Sequence, residues 1–150
     1  MSIKTRANLQ LVYVSNIDRS VDFYKHLFQC EPVFISPRYV AFPASEQGDA
    51  LFALWTGGNH PSPSITRLSE IGIMIPTNDN VDAVFNQWST RMELDVVQSP
   101  YEDVFGRTFV IQDPDGHLVL RDPLINPPMH SPLLRAAGLE PQPQLRGVEL

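Results

Sequence analysis

The sequence predicts an α+β fold in which two βαβββ modules pair into a curved mixed sheet around a cleft. Two observations carry this. The order strand, helix, three strands occurs twice along the chain, and the second pass closes on a hairpin whose turn is Asp113-Pro114-Asp115-Gly116. In that turn Pro114 presets φ, the aspartates bond back to the turn backbone and Gly116 tolerates φ > 0, while β-branched and aromatic residues flank it on both sides.

The first pass opens with Leu9 to Val14, a strand apolar on both faces, as suits one face on helices and the other lining a sheltered concavity. Asn16 or Asp18 can cap the helix that follows. Ile17, Val21, Tyr24 and Phe28 recur there at helical spacing, with Arg19, Asp22 and Lys25 toward solvent, and the helix stops before Pro32. Val33-Phe34-Ile35, Tyr39 to Phe42 and Ala50 to Trp55 are the three strands, and Gly57 to Ser64 is a loop of breaker residues.

The second pass repeats this order. Glu70 to Ile75 is a strand, Thr77 to Asn80 offer caps, and Val81, Val84, Phe85 and Trp88 mark one helix face. Leu94 to Val97, Arg107 to Gln112 and His117 to Asp122 complete it. Val21-Asp22 and Val81-Asp82 occupy matching helix positions, and Val14 and Ile75 end matching strands. Neither half alone buries the open face of its sheet, so pairing is expected. The expected domain is 1–125, with modules over about 7–58 and 68–125, followed by a Pro-rich tail over 126–150.

At 150 residues, with 43% hydrophobic and 19% charged, the chain suits one core. A net charge of −6, without a Lys/Arg cluster, argues against nucleic acid as a partner. The longest apolar run, Ala50 to Trp55, is far too short to span a bilayer, and the first residues lack the apolar segment of a signal peptide. The expectation is a cytoplasmic protein without a membrane partner. Cys30 is the single cysteine, which rules out an internal disulfide and a cysteine-built zinc site.

The run from Val14 to Tyr24, together with Phe105-Gly106-Arg107 and Asp113 to His117, resembles the vicinal oxygen chelate superfamily of glyoxalase I, the extradiol dioxygenases and the bleomycin-resistance proteins. The resemblance covers about 7–125 and departs at Asn16, where the family usually has aspartate. It implies a homodimer. It also implies four metal-donor positions, which fall on Leu9, Ala53, Glu70 and Leu120. Three of these have no lone pair to give, and His26, His60, His117 and His130 do not stand at ligand spacing, so neither metal nor cofactor is expected.

What the cleft offers instead is apolar and aromatic surface. If Leu9 faces inward, so do Leu11 and Tyr13; if Ala53 does, so do Leu51 and Trp55; Leu118 joins Leu120, and Phe42 is a neighbour on the preceding strand. Trp55 and Tyr13, beside Gly57-Gly58, suit either the wall of a pocket for a flat ligand or plain core. Arg107 and Arg121 suit either a clamp on a carboxylate or surface pairs with Asp113 or Asp122. Glu70 suits either an anchor for a cationic ligand or a strand start in water, and Tyr101 to Val104 a flap over the cleft. The candidate ligand residues are therefore Tyr13, Phe42, Trp55, Glu70, Arg107, Leu120 and Arg121.

The reading is a non-metal protein of the glyoxalase and bleomycin-resistance type that sequesters a small aromatic or apolar molecule such as an antibiotic. Its alternatives are a metal-dependent lyase or dioxygenase of the same superfamily with a displaced site, and a regulatory module working through protein contact.

Overall fold

A computed structural model describes residues 3–62, 64–65, 67–75, 79–103 and 106–123. The Pro-rich tail, His130, Thr77, Asn78, Val104 and Phe105 lie outside the described residues. The fold is α+β and consists of two βαβββ modules, each with a four-stranded mixed sheet and a helix. The described residues divide into two compact units, those within 1–66 with 113–116, and those within 67–112 with 117–123.

In the first unit the elements are β1 (Leu9–Tyr13), α1 (Ile17–Phe28), β2 (Phe34–Ile35), β3 (Tyr39–Pro43) and β4 (Leu51–Trp55), and the sheet order is β1-β4-β3-β2. β1 pairs with β4 in parallel, and the other pairs are antiparallel. Asn16 is the N-cap of α1, its side chain accepting from Arg19 N at 3.0 Å. Gln29 ends the helix in the left-handed region at φ 54°, its N–H returning to Lys25 O. α1 covers the sheet face that carries Phe42 and Phe52. Tyr24 and Phe28 meet Phe52 at ring separations of 4.9 and 5.5 Å, and Phe28 meets Phe42 at 5.5 Å.

The turn of the closing hairpin belongs to this unit. Asp113 accepts Gly116 N on its carbonyl and Asp115 N on its carboxylate, with Gly116 at φ 85°. The carboxylate of Asp115 reaches beyond the turn, taking Ser15 N at 3.0 Å, Ser15 Oγ at 2.5 Å and Arg19 at 3.2 Å, at the entry to α1. Asp113 in turn accepts from the Tyr24 hydroxyl at 2.7 Å.

The second unit comprises β5 (Ile71–Ile75), α2 (Asp79–Arg91), β6 (Asp95–Asp103), β7 (Gly106–Gln112) and β8 (Leu118–Pro123), in the order β5-β8-β7-β6. Phe85 and Trp88 of α2 pack edge-on to Phe109, and Trp88 is 4% exposed. β6 is longer than the sequence suggested. Two irregularities, between Val96 and Gln98 and between Gln98 and Tyr101, absorb Pro100 and let the strand continue. Tyr101 to Asp103, expected as a flap, are thereby paired with Thr108 to Gly106.

Candidate functional site

The first unit's sheet has a second face, away from α1. Residues alternate along a strand and cross-strand partners share a face, so Leu9, Leu11 and Tyr13 of β1 stand with Leu51, Ala53 and Trp55 of β4, and with Tyr39, Ala41 and Pro43 of β3. Leu9, Leu11 and Tyr13 are 52%, 39% and 43% exposed, an unusual degree for apolar side chains in a strand.

Register arranges this face in rows. Trp55 is the cross-strand partner of Tyr13 on one side and of Tyr39 on the other, Tyr39 meets Trp55 at 6.2 Å and 64°, and Phe34 meets Tyr39 at 5.8 Å. The adjacent row holds Leu11, Ala53, Ala41 and Phe34. Both alanines are fully buried, so their neighbours already cover this row. Same-face rows lie roughly 7 Å apart along a strand, so the large rings of the first row stand directly beside it.

The loop after β4 fixes that wall. A Cβ on Gly58 would come within 2.7 Å of Tyr13 Cζ, and one on Gly57 would overlap Trp55 Cζ2, Cε2 and Cη2. Glycine at 57 and 58 is what lets the backbone lie directly on both rings. The guanidinium of Arg38 stands 5.3 Å from the indole centroid.

Of the seven candidate residues, Tyr13 and Trp55 are brought together here. Phe42 is not. It is fully buried under α1, because alternation within β3 gives the open face to Tyr39 and Ala41. Leu120 lies in the second unit, 4% exposed, and Glu70 is exposed, just before β5. Arg107 lies in β7, in the second unit. Its Nε donates to Asp82 at 2.7 Å and Nη1 stands 3.6 Å from Glu102, and the bond to Asp82 raises its pKa above the usual arginine value. Arg121 pairs through its backbone with Phe109 and Ile73, and its side chain is outside the described residues.

The sequence reading passed over Arg38, Tyr39 and Phe34. Tyr39 was legible as part of a strand; what selects it over Phe42 is the register against Trp55, which depends on where the β3–β4 turn begins and ends.

The metal positions do not fit a metal. Leu9 and Ala53 share the open face of the first sheet and offer no donor atom, and the described residues contain no group of three His, Cys, Asp or Glu able to hold an ion. Burial and the neighbouring Glu31 push the Cys30 thiol up, away from a reactive thiolate.

The family model of the Glyoxalase/Bleomycin resistance protein/Dioxygenase superfamily matches residues 6–120. The chain belongs to this superfamily. Within it, the chain is 59% identical over 119 residues to the phenazine antibiotic resistance protein EhpR of Enterobacter agglomerans, covering 78% of this chain and 91% of that protein. Among solved structures of the glyoxalase-like fold, an Agrobacterium tumefaciens protein determined by NMR superposes with a TM-score of 0.67 at 28% identity, covering 82% of this chain and all of that one. The fosfomycin resistance protein FosX of Listeria monocytogenes, solved with Mn(II), superposes at 0.62 with 16% identity, over 80% of this chain and 90% of that one. Among the described residues of this superfamily member, no helix is long and apolar enough to cross a membrane.

Proposed function

We propose that this protein binds a planar aromatic antibiotic of the phenazine type on the open face of its first sheet, and confers resistance by sequestering it. The observation that carries this reading is the row Tyr13, Trp55 and Tyr39, in which Tyr13 stands 43% exposed beside the indole. Offset or edge contacts with several rings add about 0.5–1.5 kcal/mol each to simple burial, and a flat ligand collects them where a bulky one cannot. The kinship with EhpR supplies the antibiotic class. Sequestration needs only affinity, which agrees with a site built from rings and methyl groups.

Tryptophan fluorescence tests this. Titrating the protein with phenazine should quench Trp55, and Trp55→Phe should keep most of the affinity while Trp55→Ala loses about ten- to a hundredfold, the range for truncating an aromatic anchor. Trp88, packed from α2 onto Phe109, serves as the control. Quenching that survives Trp55→Phe and vanishes in Trp88→Phe would move the site off the first sheet.

A further inference from the structure

Arg38 has an uncommon position. It lies in the tight turn between β2 and β3, where Ser36 N donates to Tyr39 O at 2.9 Å and Tyr39 N to Ser36 Oγ at 3.1 Å. Its own carbonyl accepts Thr56 N at 2.9 Å, which pins the turn to the end of β4. The backbone is therefore fixed while the side chain is exposed and rests on the Trp55 indole. Arg6, Arg19, Lys25 and Arg107 each stand within ion-pair distance of a carboxylate. No carboxylate of the described residues stands within that distance of Arg38, although the whole chain carries a net charge of −6.

We infer that Arg38 makes the site selective for planar aromatics bearing a carboxylate on the ring. Its guanidinium stands over the indole that the ligand has to reach. An incoming ring that stacks on the indole at that point takes the place of the guanidinium. A neutral ring displaces the cation and gives nothing back. A carboxylated ring offers the displaced guanidinium a planar pair of acceptors that its fork of N–H donors matches bidentately. Arg38 is thus a specificity-determining residue that opposes one ligand class and favours the other. This rests on the assignment of the open face as the ligand site.

The test compares phenazine with phenazine-1-carboxylate at neutral pH, by calorimetry or equilibrium dialysis, because removing Arg38 alters the emission of Trp55 itself. In the wild type the carboxylate should bind more tightly, and the preference should shrink as salt is raised. Arg38→Ala should weaken the carboxylate about tenfold or more, the loss expected for a charge-assisted pair. The same variant should leave phenazine unchanged or tighten it by about two- to fivefold, since the cation–π contact no longer has to be broken. Arg38→Lys, which keeps the charge but not the fork, should fall between. Equal weakening of both ligands, or no change in either, would overturn the selectivity while leaving the site standing. Failure of both ligands to bind the wild type would overturn the site and the selectivity together.

Discussion

Tyr24 is fully buried, yet its hydroxyl meets a carboxylate. Burial first, then the charge and hydrogen bond of Asp113 and the charge of Asp115, hold its pKa well above the ordinary tyrosine value. The fold therefore keeps a proton that the unfolded chain releases near pH 10. The resulting stability is complete below about pH 10 and is lost as pH rises through the folded-state value, by about 1.4 kcal/mol per pH unit. Tyr24→Phe should remove that alkaline slope. It should also lower stability at neutral pH by about 1–3 kcal/mol, because Asp113, itself buried, loses a donor. Urea unfolding of both proteins at several pH values between 7 and 11 measures the two effects, and parallel curves would remove Tyr24 from the account.

At the scale of elements, the Gly57-Gly58 pair after β4 decides where two of the wall rings stand. Gly57→Ala should act on binding much as loss of the indole does, with a fall of about tenfold, while the far-UV circular dichroism of the sheet stays the same. Unchanged affinity would mean that the indole can shift aside without cost. The elements themselves are readable in the sequence, since period-two and helical spacing locate the eight strands and two helices of the described residues, with Asn16 as one of two candidate caps. Register is not. Phe42 and Tyr39 stand on one short strand with opposite faces, and only the pairing of Tyr39 with Trp55 tells which looks outward. β6 ran past Pro100 for a similar reason, because its irregularities are set by the partner strand rather than by local preference. Arg38 was hidden because nothing in a turn's composition says which ring its side chain will cover.

At the scale of the whole molecule, the four metal-donor positions implied by the family resemblance fall on side chains of which only Glu70 carries a donor atom. Leu9, Ala53 and Leu120 replace donors at three of the four positions implied by the family pattern, and Glu70 stands exposed before its strand. Dialysis against EDTA should leave phenazine affinity unchanged within about twofold, since aromatic contacts rather than an ion carry it. A larger loss, restored by Mn(II) or Zn(II), would show that an ion takes part. A different consequence follows from the turn at Asp113 and Asp115, which stands at the entry to α1, against Ser15, Arg19 and Tyr24. During synthesis the amino-terminal half leaves the ribosome with these groups still waiting for partners about a hundred residues downstream. It stays incomplete until Asp113 and Asp115, which lie between the last two strands of the second repeat, have been made.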